Sequence, residues 1–199
     1  MSKTVDFIFD FASPNAYLVH KIVPEIETRT GARFNYIPCL LGGIFKATGN
    51  QAPMIAFGGI KNKPEYDALE MQRFITRHEL TGFNMNPHFP VISLMLVRGA
   101  LVAERDGYLM KYIDAMVDAM WEQGLKLDDA EVLHKALADA GFDADKIMTD
   151  MGDEAIKAKL LENTNAAVER GAFGIPTFFV GEEMFFGKER LGQVEELLS

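Results

Sequence analysis

The sequence predicts an α/β protein in which a small sheet-bearing domain is interrupted by an all-helical insertion domain. Three observations predict it. The first forty residues read strand, helix, strand; the last twenty-five read strand, turn, strand, short helix; and everything between is helical in period or loop-like. The expected division is residues 1–45 plus 165–199 for the sheet domain and 46–164 for the helical insertion.

Each element has a local reason. In "TVDFIFDF", Val5, Phe7, Phe9 and Phe11 fall on one face and Asp6, Ile8 and Asp10 on the other, which is strand spacing. "SPNAYLVHKIVPEIETRTG" reads as a helix with Ser13 as N-cap, Pro14 at N1 and Gly31 as its stop. Pro24 is expected to kink or divide it. "ARFNYIPCLL" gives a second strand, parallel to the first because a crossover joins them. "GGIFKATGNQ" reads as a loop or short irregular helix. "PEYDALEMQRFITRHEL" places Ala68, Met71, Phe74 and Ile75 at helical spacing. "NPHFPVISLMLVRGALVAERDG" starts with turn residues and continues as a buried helix. "YLMKYIDAMVDAMWEQG" carries an apolar stripe from Ile113 to Trp121. "DDAEVLHKALADAG" opens with Asp128 three residues before Glu131, a capping-box-like start, and "DEAIKAKLLENTNAAVERG" stops at Gly171.

Composition narrows the function. The 199 residues are 48% apolar and 25% charged, which fits a globular protein and not a disordered one. A net charge of -9 argues against nucleic acid as a partner. No apolar run approaches a membrane span, and "MSKTVDFIFD" lacks the features of a secretory signal. Cys39 is the single cysteine, so no internal disulfide forms, and a cytoplasmic setting is expected.

Three stretches have chemical potential. Ser13-Pro14-Asn15-Ala16 opens a helix, where free N–H groups and a partial positive charge stabilise a thiolate. Taken by itself, the stretch reads first as plain helix capping by Ser13. In "FGIPTFFV", a cis bond before Pro176 would free the backbone of Ile175 for an extended peptide, while a trans proline would merely begin a strand. In "FFGKERL", Lys188 and Glu189 at a helix start suit a carboxylate and an ammonium, or are ordinary surface charges. A β-α-β start and a proline-led β-β-α finish together make the thioredoxin arrangement, which sets the three stretches along one groove.

The motifs "DFASPNAYL", "GGIFKATGN", "KPEY", "NPHFP", "MWEQG" and "GAFGIPTFFVGEEMFFGKERL" span nearly the whole chain. In them the sequence resembles the 2-hydroxychromene-2-carboxylate isomerases, relatives of kappa-class glutathione transferases and DsbA-type oxidoreductases. The resemblance implies a thioredoxin-like domain interrupted by a helical domain, a homodimer, and glutathione as a recycled cofactor acting on a small aromatic substrate. Ser13 and Ala16 stand where DsbA-type relatives have the cysteines of C-x-x-C, which argues against dithiol exchange. The resemblance assigns the glutathione sulfur to Ser13 and other parts of the tripeptide to Asn50, Lys63, Ile175 with Pro176, and the pair Lys188 and Glu189. Glu189 replaces the usual aspartate, and Ile92-Ser93 replaces an expected Asn-Thr. Tyr66, Arg73, Asn86 and Phe89 are candidates for the substrate side; Arg73 serves equally as an ion-pair partner, and Asn86 and Phe89 as turn-fixing residues. His78 and His88 lack ligand spacing, so no metal site is expected. The competing readings are a kappa-type transferase or peroxidase that consumes glutathione, and a non-catalytic peptide-binding module.

Overall fold

The computed structural model describes residues 3–198; residues 1, 2 and 199, at the ends of the expected sheet domain, lie outside the described residues. The chain opens with β1 (Thr4–Phe9), α1 (Pro14–Thr30) and β2 (Arg33–Pro38). Then come α2 (Leu41–Thr48), α3 (Pro53–Ala56), α4 (Lys63–Arg77), α5 (Leu94–Arg105), α6 (Leu109–Trp121), α7 (Ala130–Asp139), α8 (Ala144–Asp150) and α9 (Glu154–Glu169). β3 (Thr177–Val180), β4 (Glu183–Phe186), a 3-10 turn (Lys188–Arg190) and α10 (Leu191–Leu198) close it.

The four strands form one sheet in the order β2-β1-β3-β4. β1 runs parallel to β2 and antiparallel to β3, with Phe7 opposite Tyr36 on one side and Phe178 on the other. The two ends of the chain therefore meet in the middle of the sheet. Phe7 packs on Tyr36 at 4.8 Å and on Phe178 at 5.0 Å between ring centres. β1 is covered on both faces, so Ile8 and Asp10 are buried as well as Phe7 and Phe9. The alternation in the sequence suggested one solvated face; on that face exposure is confined to Thr4 and, in part, Asp6 at the start of the strand.

Three local expectations need correction, those for α1, α2 and α7, while the turn-first reading of α5 agrees with the structure. α1 runs unbroken through Pro24. That proline lies on the exposed side, while Ile22, Val23 and Ile26 are buried around it and hold the helix to the sheet. α2 is a regular helix ended by Gly49 at φ 69°, a left-handed position that favours glycine. α5 begins only at Leu94, since Pro87 and Pro90 cannot continue a helix interior. α7 is capped by Asp129, whose carboxylate accepts from the N–H groups of Glu131 and Val132 at 3.0 and 3.2 Å. Asp128 instead pairs with Lys126 at 2.7 Å and accepts from the Ile92 N–H at 3.2 Å. The short helices α3 and α8 carry no periodicity long enough to read in advance.

Within the helical region α5 and α6 approach closely at Gly99. A Cβ there would lie 2.1 Å from the Tyr112 hydroxyl and 2.6 Å from the Met151 methyl. Tyr112 is fully buried and its hydroxyl donates to the Leu96 carbonyl at 3.1 Å.

Candidate functional site

β1 ends at Phe9, and four residues lead from it to the start of α1. Ser13 sits there, 4% exposed. Its Oγ accepts from the Ala16 N–H at 3.2 Å, which is the capping bond. The same hydroxyl donates to the Ile175 carbonyl at 3.0 Å. The Ile175–Pro176 peptide is cis. Beside it, Thr177 Oγ1 donates to the Gly174 carbonyl at 2.7 Å and fixes the turn into β3. Asn50, just past the end of α2, donates from Nδ2 to the Phe173 carbonyl at 2.7 Å. Ser13 thus touches Ile175, and Asn50 grips the same loop two residues earlier. The neighbouring Asn15 Oδ1 is buried without a hydrogen-bond partner.

Beneath this turn lies Asp10, fully buried. One oxygen accepts from the Ala12 N–H at 2.9 Å and the other from the Leu41 N–H at 2.6 Å. The Ser93 hydroxyl also faces the carboxylate. Burial dominates over these donors and pushes the carboxyl up to about 6. Cys39 is close by, and burial, aided by the Asp10 charge, pushes its thiol up to about 12. A thiol so placed is inert at neutral pH.

A second group of candidates meets in a cavity of about 420 Å³ between α1, α4 and the 3-10 turn. Arg73, Lys188 and Glu189 all line it. Lys188 is 5% exposed, with its ammonium paired to Glu189 and 5.7 Å above the Phe74 ring. Glu189 is half exposed and folds back over Gly187. Arg73 is exposed and paired with Glu70. Lys63 and Tyr66 lie on the first turns of α4, a helix with no buried residue. Lys63 pairs with Asp67 and stands 5.3 Å over the Phe57 ring; Tyr66 is 53% exposed.

Asn86 is buried, and its amide is spent internally. Nδ2 donates to the carbonyls of Met120 and Leu125 at 2.8 and 2.9 Å, and Oδ1 accepts from the His88 N–H at 2.8 Å. This is the turn-fixing arrangement, and it leaves no amide hydrogen for a ligand. Phe89 is half-buried against Trp121, at 5.9 Å between centres. Trp121 donates its indole N–H to the Phe11 carbonyl at 2.9 Å, so this corner supports the Ser13 turn from behind. Ile92 is exposed, whereas Ser93 is buried against Asp10. His78 packs on Phe74, and no group of three metal-ligating side chains gathers among the described residues.

Sequence reasoning overlooked Asp10 and Trp121. An aspartate in an otherwise apolar strand end, directly before a helix cap, was the available signal for the first. The second was hidden within an ordinary apolar stripe.

The model of the DSBA-like thioredoxin domain matches residues 4–199. The chain belongs to that family. Its fold is the thioredoxin-like α/β fold with an inserted all-helical region. The chain is 27% identical over 198 residues to the 2-hydroxychromene-2-carboxylate isomerase of Sphingobium xenophagum, covering 100% of this chain and 99% of that one. It is 26% identical to the human glutathione S-transferase kappa 1, covering 100% and 92%. A solved structure of a 2-hydroxychromene-2-carboxylate isomerase superposes with a TM-score of 0.82 at 26% identity, covering 98% of this chain and 94% of that one. Within the DSBA-like family this chain has no dithiol at the α1 N-terminus: Ser13 and Ala16 stand there, and Cys39 is buried. No helix among the described residues is long and apolar enough to cross a membrane.

Proposed function

We propose that this protein is a glutathione-dependent isomerase of the 2-hydroxychromene-2-carboxylate type, converting its substrate to trans-o-hydroxybenzylidenepyruvate. Likeness to isomerases and kappa-class transferases supports a glutathione-related catalytic role. The observation that carries the reading is the Ser13 hydroxyl at the α1 N-terminus, in contact with Ile175.

The residues present fit the tripeptide. Lys188 and Glu189 offer a cation and a carboxylate to an α-amino acid end, and Glu189 reaches one methylene further than aspartate. The Ile175 carbonyl keeps a second lone pair for a peptide N–H, and Asn15 Oδ1 is an acceptor lacking a donor. Asn50 holds the loop that carries Ile175, and Lys63 on α4 is the remaining proposed contact. Held by these residues, glutathione would supply a thiolate nucleophile able to add to a conjugated carbon and leave again, which would let the alkene return in the trans form. Ser13 has one proton, now directed at the Ile175 carbonyl; to steady sulfur it turns that proton toward the anion. The positive end of α1 favours the charged form from the same side. Tyr66, Arg73 and Phe89 are the proposed substrate contacts, with Arg73 free to exchange Glu70 for a substrate carboxylate. Asn86 serves by shaping the Phe89 turn.

α3, α4 and the segment between them expose Met54, Ile55, Phe57, Ile60, Tyr66 and Leu69. We read this apolar surface as the face covered by a second copy, with sedimentation equilibrium as its test. A cytoplasmic setting belongs to the same reading, because thiols stay reduced there.

Calorimetry with glutathione, followed by turnover of 2-hydroxychromene-2-carboxylate with the glutathione pool measured, tests the function. Binding with an unchanged pool supports it. A pool consumed in step with turnover gives the kappa-type transferase instead. No heat at millimolar glutathione leaves a non-catalytic module.

A further inference from the structure

The hydrogen bonds around Ser13 close into a ring. Asp10 accepts from Ala12, one residue before Ser13, and from Leu41, the first residue of α2. α2 is eight residues long, and Asn50, two positions past its end, donates to the Phe173 carbonyl. Two residues after Phe173, the Ile175 carbonyl accepts from Ser13. Four bonds thus join three stretches that are remote in sequence, and Asp10 makes two of them. Of the residues that make these four bonds, Asp10 alone is ionisable.

We propose that Asp10 is the positioning residue of the site, and that gain of a proton by its carboxylate loosens the Ser13 turn and α2 together. The proposal rests on the glutathione reading only for its functional consequence. The physical reason is donor geometry. Both oxygens of an ionised carboxylate accept, and here each holds a different segment. A proton on either oxygen weakens it as an acceptor, so one segment loses its hold. Loss of the Leu41 bond frees the start of α2, and with it the helix that carries Asn50. Loss of the Ala12 bond frees the turn that aims Ser13. The groups facing Asp10 are the Ala12 and Leu41 N–H groups, the Ser93 hydroxyl before α5, and the Cys39 thiol after β2. Cys39 stays neutral through this range, because burial holds its thiol far above it. Burial of Asp10 brings its titration into the mildly acid range, where the device operates.

A pH titration of the whole protein by NMR tests this, reading the Asp10 carboxyl carbon, the Ala12, Ser13 and Leu41 amides and the Asn50 side-chain amide between pH 4.5 and 8. The expected result is one shared midpoint for all five, absent from the four remaining signals in Asp10→Asn. Separate midpoints, or a Ser13 amide that ignores Asp10, overturn the proposal. The wild-type titration decides alone if Asp10→Asn does not fold. With glutathione as the probe, calorimetry is expected to show at least tenfold weaker binding in Asp10→Asn at pH 7.5, and weaker wild-type binding at pH 5 than at pH 7.5. Equal affinities in both comparisons also overturn it. If the wild type binds no glutathione at any pH, the glutathione reading fails, and the shared midpoint still judges the clamp.

Discussion

The Ser13 hydroxyl donates to the Ile175 carbonyl at 3.0 Å, across 162 positions of sequence. That bond joins the helix cap made by one end of the chain to the proline turn made by the other. Ser13→Ala removes the cap of α1 and the donor to a buried carbonyl at once. We expect a loss of about 2 kcal/mol in stability, measured by urea unfolding, with the fold retained. Turnover with glutathione should fall while the far-ultraviolet spectrum is unchanged. Wild-type turnover in this variant would contradict the role given to the hydroxyl.

Asp10 should make the protein less stable as pH rises. Its carboxyl titrates near 6 in the folded chain against an ordinary 3.8. Between those values the native state keeps a proton that the unfolded chain has lost. The stability it contributes is complete below pH 3.8 and gone above pH 6, a change of roughly 3 kcal/mol. Urea midpoints of wild type and Asp10→Asn, compared at pH 4 and pH 7, should diverge in that direction. A difference that does not change with pH would refute it. The ionised form that organises the site is therefore the less stable one.

Lys188 is buried, but its partner Glu189 is half exposed, so their pair contributes little to folding. Lys188→Met keeps the long apolar stem against Phe74 and removes the charge. Stability should change by less than about 1 kcal/mol. Glutathione affinity measured by calorimetry should fall by about tenfold. Unaltered affinity would remove Lys188 from the site.

Gly99→Ala tests the α5–α6 contact without touching the site. The added methyl would lie 2.1 Å from the buried Tyr112 hydroxyl. We expect about 1–3 kcal/mol of destabilisation, read as a lower melting temperature. A melting temperature equal to wild type would show that α6 shifts freely at this point.

The parts legible in the sequence are those with short-range signatures. Ser13 followed by Pro14 marks a helix start, and Pro176 at the head of an apolar run marks the turn into β3. The α/β architecture followed from the same reasoning, because strand period at both ends and helix period between them leave few arrangements. Asp10 was not legible, since two-residue alternation assigns it to a solvated face, whereas its carboxylate is buried and held by the Leu41 N–H, 31 positions away in sequence. Lys188 could be picked out as a cation at a helix start, but its burial could not, because its ammonium lies over Phe74 of a helix more than a hundred positions earlier. Asn86 could be placed at a turn, but its capture of the Met120 and Leu125 carbonyls is a tertiary event.

The sheet also has a consequence for synthesis. β1 is a central strand, yet its neighbour on one side is assembled from residues 177–180 of 199. During translation the first strand and α1 emerge with one edge uncovered, and that edge waits until Thr177–Val180 have left the ribosome. Contacts of such long sequence separation form late and slow folding, so nascent chains stalled before β3 should recruit chaperones or aggregate.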